Sequence, residues 1–596
     1  MNRTMYRSIL HIVTAACMGC FAVAASGQDL DPTVEVTRDY QARHAEVDKP
    51  LMDMAVPDSV LRFEIDVDYT VTDNPYKGSY EFRPYSLDIS PESSATDART
   101  LFLRVGAGYQ LHPVADFVYT PAFRTSAFSM SVYGTHRSYF GRYRALSLKE
   151  TAGTNAELGW TRGSGKRYSG YDSYTRAGVN GRADWSSGFF TFDVGYLGYA
   201  AKDTLMKRGF DAVRADLRVA SRTAAEKYFL YDLSVSYLYG RDKVADAAGL
   251  NEHDFSVYAS LGPVFSRQSR ALLDVDLEYS GYTGSLSSSS VRFSLTPHYV
   301  LDKGRWFLDL GAEISVMAGN DRTGYAASPY LKTMHATRGQ YVYPDIEVGF
   351  DAIRNYLNVY FKADGGDCIN RYSSLLARSR FTGLSWAHSE AGMPLMDNTV
   401  ERVNARLGLK GNIGSRFLYD INGGYARYHN MLLDAVILSS VSEYALPALA
   451  YGSCNMFFAE FNIGWHSQDI AADAKLKYVS TDLYRNMSVG FAPSPFTADV
   501  DIVYNWKKRI FAGLHCDAAL ARDGYCPADI MSGTPQAKTS VRIPGYADLG
   551  VSVEYKFNRK ASVWVYGGNL LDMTIQRSPL YCESGIYFTA GITLSL

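Results

Sequence analysis

The last eleven residues, Ile586 to Leu596, alternate without a break. Ile586, Phe588, Ala590, Ile592, Leu594 and Leu596 fall on one face, and Tyr587, Thr589, Gly591, Thr593 and Ser595 on the other. Side chains of a strand point to opposite faces with a period of two, so this is a strand with one wholly apolar face. Left at the edge of a soluble sheet, such a strand templates aggregation. In a barrel embedded in lipid it pairs with the first strand, and its apolar face meets hydrocarbon. The segment predicts a transmembrane antiparallel β-barrel.

The same pattern recurs from about Leu101 onward. Leu273, Val275, Leu277 and Tyr279 alternate with Asp274, Asp276, Glu278 and Ser280. Trp306, Leu308, Leu310, Ala312, Ile314 and Val316 alternate with Phe307, Asp309, Gly311, Glu313 and Ser315. Phe229 to Tyr239, Phe496 to Trp506 and Leu549 to Phe557 repeat it. Strands of a soluble sandwich are shorter, about five or six residues. A tilted strand needs about nine to eleven residues to cross a bilayer. Acidic residues recur on the inner face and are nearly absent from the outer one, as a polar lumen and an apolar exterior require.

Short turns are expected at Ser186–Ser187, Asp302–Gly304, Ile413–Ser415, Lys507–Lys508 and Asn558–Lys560. Long connections are expected near Gly319–Gln340, Gly365–Asn398, Met431–Cys454, Asp523–Val541 and Leu571–Gly585. Short turns at one mouth and long loops at the other are the outer-membrane arrangement, and counting pairs back from Leu596 gives about 22 strands.

Composition agrees. The chain is 47% hydrophobic yet lacks the several apolar runs of about 20 residues that a helical membrane protein needs. Its 45 tyrosines and 29 phenylalanines favour strands and membrane interfaces. A formal charge of -2 argues against a nucleic-acid partner, which needs a basic face.

Residues 1–27 read as a cleaved secretory signal: Arg3 and Arg7, an apolar stretch from Ile9 to Ala25, then small residues before Gln28. The alternatives are an uncleaved anchor, or lipidation at Cys17 or Cys20. Residues 28–100 form a periplasmic segment. It is charged and proline-bearing to Asp58, and then holds a possible first strand in which Arg62, Glu64, Asp66 and Asp68 alternate with Phe63, Ile65, Val67 and Tyr69. Residues 101–596 are assigned to the barrel. The mature cysteines, Cys368, Cys454, Cys516, Cys526 and Cys582, are odd in number, so at least one stays unpaired within the chain.

The end of the chain carries a resemblance. Tyr546 to Phe557, a short turn, Ser562 to Tyr566, then Gly568-Asn569-Leu570-Leu571-Asp572, then Gly585 and the final strand resemble the end of TonB-dependent receptor barrels. In that family an Asn-Leu-hydrophobic-Asp/Asn element closes the penultimate strand, and the last residue is usually Phe where this chain has Leu596. The resemblance implies an outer-membrane barrel preceded by a plug domain of over a hundred residues. Only Gln28 to Thr100 are available here, so the expectation is a barrel without a plug of its own. Thr33 to Thr37 faintly resembles the short strand that engages the energising partner.

Signals of catalysis are sparse. Asp364, Asp367 and Asn370 form either an oxygen-ligand calcium set or an ordinary polar turn. No His pair has i, i+4 spacing, His515 beside Cys516 reads as an interface residue, and Gly567-Gly568 lacks a phosphate-binding pattern. No catalytic, cofactor or metal residue is assigned, and the chain is read as not an enzyme. The expected function is solute passage or uptake across the outer membrane of a diderm bacterium. The alternative is a non-transporting barrel subunit of an envelope-assembly or surface complex. The expected partners are outer-membrane lipid and an envelope protein or separate plug protein. A lumen this wide is expected to be occluded, by Gly365–Asn398 and other long loops with Gln28–Asp58 or by a second protein, with basic groups of the filler meeting Asp274, Asp276, Glu278, Asp309 and Glu313. Val275 is expected to face lipid and Asp276 water, so that Val275→Arg impairs assembly and Asp276→Arg is tolerated.

Overall fold

The computed structural model describes residues 100–122, 127–150, 155–159, 167–202, 207–222, 229–244, 250–284, 288–319, 338–354, 356–378, 397–438, 445–483, 490–527 and 538–596. The signal, the segment ahead of residue 100 and Thr33–Thr37 lie outside these residues, as does the strand proposed near Arg62.

Twenty-two strands form one antiparallel sheet. It closes where the first strand, Leu101–Tyr109, pairs with the last, Tyr587–Ser595, from Phe102 against Ser595 to Tyr109 against Phe588. Closure gives every wall strand two neighbours, which satisfies the backbone without water. Among the described residues no helix is long and apolar enough to cross a membrane.

Alternation maps onto the wall as the sequence implies. Phe588, Ile592 and Leu596 are exposed on the outside, while Thr589, Thr593 and Ser595 are buried within. Trp306, Leu310, Ile314 and Val316 are likewise outward, as are Phe229, Leu233, Tyr237 and Tyr239. Outward aromatics collect at both ends of the apolar belt. Trp306, Trp465, Trp506 and Phe557 lie near the short turns, and Tyr109, Tyr239, Tyr279 and Tyr478 lie near the opposite mouth. Two such girdles mark the interfaces of a bilayer crossing.

All five short turns lie at the end bearing Leu596. Two shift by a residue: Gly304 and Gly414 take φ of 73° and 65° there, a left-handed backbone that glycine adopts without a Cβ clash. Lys507 and Lys508 both adopt positive φ in theirs, as a tight hairpin turn requires.

Three long connections need correction. Met431–Cys454 is mostly wall: strands Phe417–Leu438 and Ala445–His466 run 22 residues each and pair up to Leu438 against Ala445. They rise past the bilayer, where the apolar/polar alternation loses its cause, so Met431 to Leu438 does not alternate. A register shift between Tyr428 and Met431, with Asn430 at φ 67°, marks the change. Asp523–Val541 holds parts of strands Arg522–Pro527 and Lys538–Ile543. With Gly490–Phe491, Asn155–Gly159 and Ser147–Glu150 they make a second, five-stranded sheet. Within Gly365–Asn398, the wall strand continues to Ile369 and a short helix follows, Tyr372–Arg378. Leu571–Gly585 is a loop as expected, and 320–337 and 379–396 lie outside the described residues.

A closed wall predicts heat modifiability. Unboiled protein should migrate differently from boiled protein on a denaturing gel, because detergent alone leaves a closed, fully paired barrel folded. Equal migration with low sheet content by circular dichroism would contradict the closed wall.

Candidate functional site at the mouth of the barrel

The inner wall carries paired charges. Arg292, on strand Ser288–Lys303, donates to Asp276 at 2.7 Å and Glu313 at 2.8 Å, and stands 3.9 Å from Glu278 and 3.8 Å from Asp367. His298, six residues further along the same face, sits between Asp309 at 2.8 Å and Asp274 at 3.5 Å. The expectation that the filler of the lumen would meet these five acids is therefore corrected: the wall meets most of them itself. Most of these partners stand on the neighbouring strands, opposite or a few residues along in register, which linear spacing does not reveal. One cation does come from an infolded segment. Arg371 lies 3.5 Å from Glu278 and 3.9 Å from Asp254.

That segment leads into the helix Tyr372–Arg378. Seven residues do not hold a helix in water, because nucleation costs more than so few bonds return. Packing holds it. Tyr372, Leu375 and Leu376 share one face at i, i+3, i+4 spacing and are essentially fully buried. They pack with Phe210, Leu250, Tyr282 and Leu449, from strands on different parts of the wall. Burying a leucine-sized side chain contributes about 1.5–3 kcal/mol. Polar contacts fix the depth. The Tyr372 hydroxyl donates to Asp242 at 2.6 Å, and the Ser373 amide donates to Glu252 at 3.0 Å.

The connection from Asn569 to Ile586 forms the other side of the mouth. Asn569, at φ 45°, donates to the carbonyls of Met573 and Ser584 and accepts from the Met573 amide. This is the physical content of the Asn-Leu-Leu-Asp element: its first side chain ties the loop into a compact turn. Arg144 reaches across to Asp572 at 2.5 Å and Thr574 at 3.2 Å. Arg577 bonds Asp517, Glu583 at 2.7 Å and Asp548 at 3.2 Å, which draws the loop toward the lumen wall.

Between helix and loop lies a cavity of about 410 Å³, lined by His112, Tyr139, Asp172, Ala377, Asp548 and Arg577 among others. His112, on the turn after the first strand, stacks on Tyr587 at 4.0 Å, and burial pushes its pKa down to about 4. It is thus a neutral ring at neutral pH, stacked rather than charged. Buried Cys582 is likewise pushed up to about 12 and stays a thiol. A second cavity, of about 440 Å³, is lined by Arg182, Arg218, Asp193 and Asp216 with serines and Asn180. The lumen wall thus presents both charge signs.

The other expectations divide. Asp364, Asp367 and Asn370 do not converge: Asp364 faces Lys362 and Arg406, Asp367 accepts from Ser315, and Asn370 donates to the Asp397 carbonyl. His515 bonds Asp501 at 2.7 Å, its register partner on the adjacent strand. With Asp499 it forms a group whose ligand atoms all lie within 4.8 Å of one another. Cross-strand register brings them together, and no sequence spacing signals it. Cys368, Cys454, Cys516 and Cys582 are free thiols.

No protein-family model matches the chain, and no curated protein matches its sequence. Solved structures do match. The copper transporter OprC is 12% identical, covers 83% of this chain and 80% of its own, and gives a TM-score of 0.58. The FrpB iron transporter from Neisseria meningitidis (F3-3 variant) is 9% identical, with coverage of 84% and 82% and a TM-score of 0.59. The siderophore receptor PiuA from Acinetobacter baumannii is 10% identical, with coverage of 83% and 82% and a TM-score of 0.57. In fold, the chain is a closed 22-stranded antiparallel barrel that matches those of TonB-dependent receptors.

Proposed function

We propose that the protein takes up a small polar solute across the outer membrane of a diderm bacterium, through a lumen that its own chain closes at rest. The observation that carries this reading is the helix Tyr372–Arg378, folded into the mouth and latched to the wall by Asp242 and Glu252. A barrel serving only as scaffold has no use for a latched element over a cavity lined by both charge signs. The names of the similar structures, a copper transporter, an iron transporter and a siderophore receptor, support uptake as the class of activity and leave the solute open. In this reading the infolded segment itself does the closing.

Growth under limitation tests it. Cells lacking the chain should grow more slowly on at least one limiting metal, cofactor or glycan, and the chain supplied in trans should restore growth. Equal growth throughout, with recovery of the chain in fixed ratio with envelope-assembly proteins, would overturn uptake in favour of the assembly subunit.

A further inference from the structure

The outer face of the barrel carries a band of positive charge along one part of its upper rim. Arg142, Lys202, Lys207 and Lys243 lie on the outward-facing positions of their strands and are exposed. Each stands fourteen residues from the short-turn end of its strand, at Phe128, Gly188, Ser221 and Phe229. About nine to eleven residues cross the bilayer, so all four lie just beyond it, in the headgroup layer. Arg241 is exposed two positions below Lys243, and Arg167 is exposed at the upper end of the strand between those of Arg142 and Lys202. The five strands are successive neighbours in the wall, so the band spans about 20 Å. Further round the wall the same height holds Thr283, Ser289 and Gly339, none of them charged.

These charges do not neutralise one another. Lys202 and Lys207 are directly opposite in register, and like charges so placed destabilise a sheet unless an anion joins them. Among the described residues of these strands the outward acid is Asp211, which Lys243 and the Tyr196 hydroxyl already engage. Just beneath the band the outer face is polar where a lipid-facing wall is otherwise apolar: His136 bonds Thr175 at 2.8 Å and Ser138 at 3.0 Å. Exposed Phe140, Tyr196, Tyr237 and Tyr239 flank this strip at the membrane boundary. Cations in the headgroup layer take phosphate, hydroxyls and an imidazole below them take sugar oxygens, and the apolar belt takes acyl chains. We infer that this face seats a phosphorylated glycolipid of the outer leaflet, with phosphate on Lys202, Lys207 and Arg142 and the sugar over His136 and Thr175. The seat lies outside the lumen and is independent of what the barrel carries.

The test uses the full chain in neutral detergent, with bis-phosphorylated lipid A as the probe and native mass spectrometry as the readout. Wild-type protein should retain the lipid through the detergent. A basic side chain near an anionic headgroup contributes about fivefold, so Lys202→Gln with Lys207→Gln should weaken retention about thirtyfold. Heat modifiability should show that barrel intact, since both side chains are exposed. Fully dephosphorylated lipid A should bind wild type as weakly as the intact lipid binds the double variant. Raising salt from about 0.1 to 1 M should weaken wild type far more than the double variant, because screening shortens from about 10 to 3 Å. Arg427→Gln, exposed on strand Phe417–Leu438 away from the band, should leave retention unchanged. Equal retention by wild type and the double variant would overturn the proposal, as would equal binding of the dephosphorylated lipid, which would assign the contact to the apolar belt alone. An equal loss in Arg427→Gln, or full displacement of the lipid by inorganic phosphate, would overturn it too, in favour of general charge or of a free-phosphate site.

Discussion

Val275→Arg should block assembly of the barrel. Val275 stands on the outer face between Ala259 and Leu295 of the neighbouring strands, in a belt whose members Leu273 and Tyr279 are exposed to the outside. A guanidinium there meets hydrocarbon, at a cost of about 2–4 kcal/mol near the midplane. That is a large part of the stability of a typical fold, roughly 5–15 kcal/mol. Its neighbour must be tested differently from what the sequence suggests. Asp276 faces the lumen but bonds Arg292, whose side chain is only 11% exposed, so Asp276→Arg would set two guanidiniums together. Asp276→Asn keeps the shape and a weaker hydrogen bond, and should assemble at near wild-type yield. Heat-modifiable protein in outer-membrane fractions measures both. Equal yields from Val275→Arg and Asp276→Asn would show the strand register to be wrong.

Paired substitution of Leu375→Asp and Leu376→Asp should expel the infolded helix and leave the wall standing. Both leucines are buried against Phe210, Leu250 and Leu449. Burying a carboxylate in that apolar setting costs several kcal/mol, more than the remaining contacts of a seven-residue helix return. The helix contributes no wall strand, so the barrel should remain heat-modifiable. Cells carrying the variant should become sensitive to bulky antibiotics that the outer membrane normally excludes. Unchanged resistance, with the barrel present at normal level, would mean that the helix does not close the mouth.

The wall was legible in the sequence because its cause is local. A strand with lipid outside and a polar lumen inside must alternate over about eleven residues, and Trp306 to Val316 or Ile586 to Leu596 does so whatever the rest of the chain does. Strand number and the inner position of the acids followed from the same rule. What lay outside the bilayer was not legible. Strands Phe417–Leu438 and Ala445–His466 continue above it without alternating, and the second sheet joins Ser540 to Asn155 in parallel across nearly four hundred residues. The site was least legible. Tyr372, Leu375 and Leu376 form too short a pattern to announce a helix, and the groups that hold it, Asp242 and Glu252, lie 130 and 121 residues away. Arg292 and His298 were likewise invisible as partners of the acids until the register placed them side by side.

Single-channel recording tests the central claim, a wide lumen closed by its own chain. Purified protein in a planar bilayer should pass little steady current, and the Leu375→Asp, Leu376→Asp variant should pass a large one. Large, steady current from the wild-type chain would contradict self-closure; if the native complex then passed little, a partner protein would be the plug, and if it passed as much, the barrel would be an open pore.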